Sequence, residues 1–104
     1  MGSARIAVYV DSDLKPLIPG FLENRRSDAL LMSEAVVKGD FEAVRILGHS
    51  MKGVGGGYGF DEITRLGLML EQAAKAQDSL QIKGAINLLS EYLDQVDVYY
   101  RDSV

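Results

Sequence analysis

Residues 45–60 read Arg-Ile-Leu-Gly-His-Ser-Met-Lys-Gly-Val-Gly-Gly-Gly-Tyr-Gly-Phe, and the fold is predicted outward from this stretch. Successive residues of a helix turn by about 100°, which gathers apolar and small residues on one side. These residues are Val44, Leu47, Met51, Val54, Gly55 and Tyr58. We expect that side to face a core. The single histidine, His49, points the opposite way and is therefore predicted to be exposed.

The predicted surroundings of His49 combine positive charge with small residues. Residues three or four positions apart are neighbours on a helix surface. The neighbours of His49 on this wheel are Arg45, Ile46, Lys52 and Gly53, with Gly56 one turn further.

The glycines in this stretch require an explanation, because each glycine inside a helix lowers its stability by about 1 kcal/mol relative to alanine. On the histidine face, Gly53 and Gly56 would leave room for another protein to approach the imidazole. On the core face, Gly55 is expected to permit close helix packing. Gly59 is expected to stop the helix in a left-handed conformation.

An exposed imidazole suits one kind of chemistry in particular. It is mostly unprotonated at neutral pH, so a ring nitrogen can act as a nucleophile without a neighbouring base. Phosphorus is a suitable electrophile, because phosphoryl transfer needs mainly positioning and a nearby cation. Lys52, one turn from His49, is placed to provide that cation.

The pattern His49-x-x-Lys52-Gly53-x-Gly55-x-x-x-Gly59 resembles the signature of histidine-containing phosphotransfer domains. That family commonly shows His-x-Leu-Lys-Gly, followed by small residues and a later glycine. Met51 replaces the usual leucine, and Gly48 with the run Gly55-Gly56-Gly57 exceeds the usual glycine content. The resemblance implies a four-helix bundle with the phosphorylated histidine exposed in the middle of the second bundle helix.

The resemblance also implies a function. His49 would accept a phosphoryl group from a receiver-domain aspartate and pass it to another, with Lys52 stabilising the phosphate. The partners would be response-regulator receiver domains and a hybrid sensor kinase, and the receiver would supply magnesium. The chain would be a carrier rather than an enzyme, with no ATP site or cofactor of its own. We predict the receiver-docking face around Arg45, Ile46, Gly53 and Gly56.

Residues 45–60 allow other interpretations, some of which the sequence argues against and some of which it leaves open. In a G-x-G-x-x-G nucleotide loop, glycine would replace Tyr58, and no Gly-Lys-Ser/Thr follows. A sensor-kinase dimerisation helix would carry an acidic residue in place of Ser50 and a proline downstream, yet no proline follows Pro19. The glycine spacing could also reflect helix packing alone. The main alternative is a helical interaction module that binds receivers without being phosphorylated.

The first part of the chain is predicted to be an extended lead-in followed by two helices. Residues 5–10 include β-branched and aromatic types, but no later segment offers a matching strand. A short helix is expected from Asp11 or Asp13, with Pro16 in its first turn and a break at Pro19-Gly20. A long amphipathic helix then runs to about Lys38, with Arg25 on its polar face.

Three further helices complete the prediction. Asp40 caps a helix from Phe41, and Asp61 opens another that ends near Lys75. Asp78 and Gln81 resemble a capping box for the last helix, whose apolar positions include Val96 and Tyr100. The predicted class is all-α: an antiparallel four-helix bundle with a short N-terminal helix.

Composition limits the remaining possibilities. At 104 residues the chain is expected to form one domain, with an extension over 1–12 and the bundle over 13–102. It has no cysteine and one histidine, which argues against disulfides and zinc, and its net charge of −4 argues against nucleic acid. No apolar run approaches the ~20 residues that span a membrane. We therefore expect a cytoplasmic monomer.

Overall fold

A computed structural model describes residues 4–102, which are mostly helical. Its elements in chain order are strand β1 (Ile6–Asp11), helices α1 (Ile18–Val37), α2 (Phe41–Gly55), α3 (Asp61–Lys75) and α4 (Ser79–Gln95), and strand β2 (Val96–Arg101). Two short 3-10 helices, Ser12–Leu17 and Gly56–Tyr58, precede α1 and follow α2. The all-α prediction holds for the helices, but it missed a strand pair.

The predicted short N-terminal helix is a 3-10 helix, and it leads directly into α1. The side chain of Asp11 accepts a hydrogen bond from the Asp13 backbone nitrogen (2.9 Å) at its start. The predicted break at Pro19-Gly20 is misplaced, because both residues lie in the first turn of α1. Proline is tolerated there, since the first backbone nitrogens of a helix have no partner within the helix.

The turns that position α2 and α3 follow the local signals in the sequence. Helix α1 ends at Val37, and Gly39 adopts a positive φ of 74° in the turn that follows. Asp40 then caps α2 by accepting a hydrogen bond from the Ala43 backbone nitrogen (3.1 Å). After α2, Gly59 has a φ of 90°, which confirms the predicted left-handed stop.

Helix α4 starts as predicted but ends earlier. Asp78 accepts a hydrogen bond from the Gln81 backbone nitrogen (3.1 Å), whereas the Asp78 nitrogen donates to a backbone carbonyl, so half of the capping box forms. The helix ends at Gln95, and the prediction that Val96 and Tyr100 lie on it is wrong. Both residues belong to β2.

The two strands form a parallel pair, which corrects the prediction that residues 5–10 have no matching strand. The register runs from Ile6 opposite Val96 to Asp11 opposite Arg101. Arg5 secures one end of this pair by donating to both carboxylate oxygens of Asp97 (2.6 and 3.2 Å).

The core lies between the four helices, with the inner face of the strand pair closing one end. In the described residues, α1 packs against α2 and α4, while α3 packs against α2 and α4. The largest fully buried side chains are those of Phe60, Ile18, Met32, Met51, Ile63, Leu66, Leu70, Ile82, Leu89 and Val44. Contrary to prediction, Arg25 is largely buried, with its guanidinium over the Phe21 ring. Among residues 4–102, no helix is long and apolar enough to cross a membrane.

Candidate functional site

Helix α2 presents His49 to solvent, as its amphipathic pattern predicts. On the inner side of this helix Val44, Met51 and Gly55 are buried. On the outer side Ser50 is exposed, and the imidazole of His49 has 65% of its surface accessible. The histidine is therefore open to a large partner molecule.

The backbone of α2 lies very close to that of α3 beside this histidine. A Cβ built on Gly48 would lie 2.8 Å from the Glu71 backbone nitrogen, and one built on Gly67 would lie 2.5 Å from the Lys52 backbone nitrogen. Real side chains do not tolerate such distances, so glycine is required at both positions. A Cβ built on Gly55 would lie 2.6 Å from the Thr64 backbone nitrogen, so Gly55 permits close helix packing, as predicted.

The close approach brings a buried carboxylate to His49. Glu71 on α3 is 5% exposed, and its Oε2 lies 2.8 Å from His49 Nδ1. Its other oxygen, Oε1, accepts a hydrogen bond from Lys52 Nζ (2.9 Å). One carboxylate therefore joins the two residues that the sequence singled out.

Sequence reasoning missed Glu71, although a signal was present. The apolar stripe of α3 includes Ile63, Leu70 and Ala74, and Glu71 is a charged residue within it, one turn after Gly67. A carboxylate is almost never fully buried unless it is paired. An acidic residue at a core position therefore indicates a partner on another element.

The two hydrogen bonds determine the charge state of Glu71. Glu71 accepts hydrogen bonds from Lys52 and from His49. These two bonds, with the one from Lys52 the larger cause, lower the pKa of Glu71 from 4.5 to about 2. At neutral pH the carboxylate is ionised and can only accept hydrogen bonds. His49 Nδ1 must then be protonated, and it donates a hydrogen bond to Glu71. In the neutral imidazole this leaves Nε2 unprotonated, with a free lone pair.

The predicted docking residues lie around this site, but they differ in availability. Ile46 is 54% exposed, and Gly53 has open space where a side chain would be. Gly56 is exposed and lies in the 3-10 helix after α2, with Thr64 as its nearest neighbour. Arg45 forms an ion pair with Glu42 one turn earlier, so its guanidinium is already partnered.

A shallow apolar groove extends from Ile46 towards the end of α1. Its volume is about 420 Å³, and its walls include Leu31, Ala43 and Leu47, with Lys38 at one side. Leu31 is 51% exposed. The exposed apolar surface beside His49 is thus larger than Ile46 alone.

The sequence matches no protein-family model, and no curated protein or solved structure matches the chain.

Proposed function

We propose that this chain is a histidine phosphotransfer protein, which accepts a phosphoryl group on His49 from a receiver-domain aspartate and passes it to another. The main support is the contact between the exposed imidazole of His49 and the buried carboxylate of Glu71, which also binds Lys52. Because Glu71 holds Nδ1, Nε2 of the neutral imidazole is left with a lone pair that is free to act as a nucleophile.

The proposed transfer uses Nε2 of His49 as the nucleophile. The Nε2 lone pair attacks the phosphorus of an aspartyl phosphate, so an N–P bond forms while the O–P bond breaks and the aspartate leaves as a carboxylate. Positive charge that develops on the ring is stabilised by Glu71 through Nδ1–H (2.8 Å). The reverse steps deliver the phosphoryl group to a second receiver.

Lys52 is proposed to stabilise the phosphoryl oxygens. Its ammonium is held by Glu71 at 2.9 Å, and its side chain is 35% exposed. An ammonium one helical turn from the nucleophile can interact with the negative oxygens, which carry most of the charge in the transition state. The remaining catalytic groups, including magnesium, would come from the receiver.

The docking face is proposed to centre on His49. Ile46 and the groove beside it offer apolar contact, while Gly53 and Gly56 let a partner's backbone come close to the imidazole. Arg45 would contribute at the edge, after its ion pair with Glu42 has rearranged. The partners would be response-regulator receivers and a hybrid sensor kinase.

The packing of the four helices fits the proposed family fold, an antiparallel four-helix bundle with the active histidine in the middle of the second helix. We further propose that the protein acts as a cytoplasmic monomer, and as a carrier without its own ATP site.

The proposal is tested by incubating the chain with a panel of phosphorylated receiver domains and following the transfer of label. We expect acid-labile, base-stable label on the wild type and on Ser50→Ala, and none on His49→Gln. Ser50→Ala is a matched control, because Ser50 is the exposed hydroxyl next to the histidine. If receivers bind the chain but transfer no label, the non-phosphorylated interaction module is the better explanation.

A further inference from the structure

A second concave surface lies at the other end of α3. This cavity of about 360 Å³ is lined by residues 6–9 of β1, by Gly59, and by Asp61, Glu62 and Tyr92. Asp61 and Glu71 are ten residues apart on α3, or about 15 Å along the helix axis. None of the residues that line the cavity belongs to the His49 site. We call this cavity the β1 groove.

One wall of the β1 groove is an unpaired strand edge. Over residues 4–102 the sheet contains two strands, so β1 pairs with β2 on one side only. No further backbone hydrogen bond joins residues 6–9 to another described segment. In a parallel strand, alternate residues direct both their N–H and C=O groups to the open edge. Such an edge can accept an additional extended strand.

The opposite wall is negatively charged. Asp61 and Glu62 form the first turn of α3, and Asp61 makes no ion pair with any residue that the structure describes. Glu62 pairs with Arg65 on its own helix. A segment that enters the groove would therefore meet the Asp61 carboxylate and the Glu62–Arg65 ion pair.

The lining of the groove includes a phenol without a hydrogen-bond partner among the described residues. Tyr92 is 5% exposed and lines the cavity, and its hydroxyl takes part in none of the hydrogen bonds between described residues. Burial and the nearby charges of Glu62 and Asp61 raise the pKa of Tyr92 to about 12, so the phenol stays neutral. Its oxygen can accept a hydrogen bond from a cation.

We propose that the β1 groove binds an extended, basic segment of a partner protein. The segment adds to β1 as a third strand, and one Lys or Arg side chain enters between Asp61, Glu62 and Tyr92. The strand edge provides backbone hydrogen bonds for any extended peptide, whereas the carboxylates and the phenol select a positive charge. Gly59 lines the groove beside the Tyr9 carbonyl oxygen, and its positive φ of 90° explains the glycine at this position.

The test is an NMR titration of the full chain with three short peptides. The first alternates valine and lysine, the second has glutamate in place of lysine, and the third is the lysine peptide with an N-methyl group on every backbone nitrogen. We expect the lysine peptide to shift the amides of residues 6–9, Gly59 and Glu62. The other two should bind at least about tenfold more weakly, since one lacks the charge and the other lacks the backbone donors.

Two substitutions test separately how much Tyr92 and Asp61 contribute to peptide binding. Tyr92→Phe removes only the hydroxyl and should weaken binding of the lysine peptide about fivefold, the usual effect of one hydrogen bond. Asp61→Asn should weaken it about two- to fivefold, and more at low salt. Tyr99→Phe is the matched control, because Tyr99 is an exposed tyrosine on the neighbouring strand and should have no effect.

Several results would overturn this proposal. Equal affinity for the lysine and glutamate peptides would show that charge does not contribute to binding. Equal affinity for the lysine peptide and its N-methylated form would show that the peptide does not add to β1 as a strand. Shifts confined to the exposed Tyr9–Tyr99 ring pair would place binding elsewhere. A dimer with paired β1 edges, seen by sedimentation, would make the occupant a second copy of the chain. The peptide comparisons use the wild-type chain and need no variant to fold.

Discussion

The close contact between α2 and α3 can be tested by adding one methyl group at Gly67. A Cβ at this position would lie 2.5 Å from the Lys52 backbone nitrogen and 2.8 Å from the Gly48 carbonyl oxygen. Backbone atoms cannot move aside by changing rotamer, so the two helices must separate. Overpacking of this kind costs about 1–3 kcal/mol.

Alanine at Gly84 provides a matched control. Gly84 lies inside α4, is exposed, and has nothing within 4 Å of the position that a Cβ would occupy. Replacing glycine by alanine inside a helix stabilises the fold by about 1 kcal/mol, because alanine loses less backbone entropy on folding. This effect is similar at both sites. The difference between the two variants therefore isolates the contact. We expect Gly67→Ala to be less stable than Gly84→Ala by about 1–3 kcal/mol.

Urea unfolding followed by circular dichroism gives the free energy of unfolding of each variant. Gly84→Ala should unfold at a higher urea concentration than the wild type, and Gly67→Ala at a lower concentration than Gly84→Ala. If Gly67→Ala is as stable as Gly84→Ala, the helices are not in close contact at this point. The account of how Glu71 reaches His49 would then be wrong.

Three further predictions concern the site and its scaffold. The carboxylate of Glu71 has its pKa lowered from 4.5 to about 2, so it stabilises the fold above pH 4.5 and loses that effect as the pH falls towards 2. The stability difference between the wild type and Glu71→Gln, measured by urea unfolding, should shrink over this range; a constant difference would contradict the prediction. Lys52→Met should slow phosphotransfer about tenfold by removing the cation, while Lys83→Met, at an exposed lysine on α4, should leave the rate unchanged. Asp78→Ala should cost about 1 kcal/mol in thermal or urea unfolding by removing the cap on the Gln81 nitrogen, and Asp78→Asn should cost little because asparagine also caps.

The helices could be predicted from the sequence because their signals are local. Asp40 and Asp78 cap the helices that follow them, and Gly39 and Gly59 take the positive φ values that turns require. Each signal depends on residues within a few positions of one another. The exposure of His49 followed in the same way from the periodicity of α2.

The strand pair could not be predicted, because its partners lie at opposite ends of the chain. Leu93, Val96 and Tyr100 fit the helical spacing i, i+3 and i+7, so the pattern predicts that the last helix continues. The same residues include β-branched and aromatic types, which also suit a strand. Pairing with β1 decides between the two, and that information lies outside the segment.

Glu71 escaped prediction for a related reason, since its role depends on a contact between two helices. Gly48, which exceeds the usual glycine content of the pattern that the sequence resembles, and Gly67, which the sequence analysis did not single out, make that contact possible. Gly48 precedes His49 directly and lies one turn before Lys52, while Gly67 lies one turn before Glu71. When the two glycines meet, the carboxylate is brought within 2.8 Å of one side chain and 2.9 Å of the other.

This arrangement makes the site more sensitive than the fold to the distance between α2 and α3. Hydrogen bonds weaken steeply once the heavy atoms are more than ~3.5 Å apart, whereas apolar packing can tolerate a small shift with partial loss. A separation of the helices by about 1 Å would therefore break both hydrogen bonds of Glu71 before the core is lost. In the proposed carrier, Gly67→Ala should accordingly impair phosphotransfer even where the chain stays folded, because His49 loses the carboxylate that orients its ring.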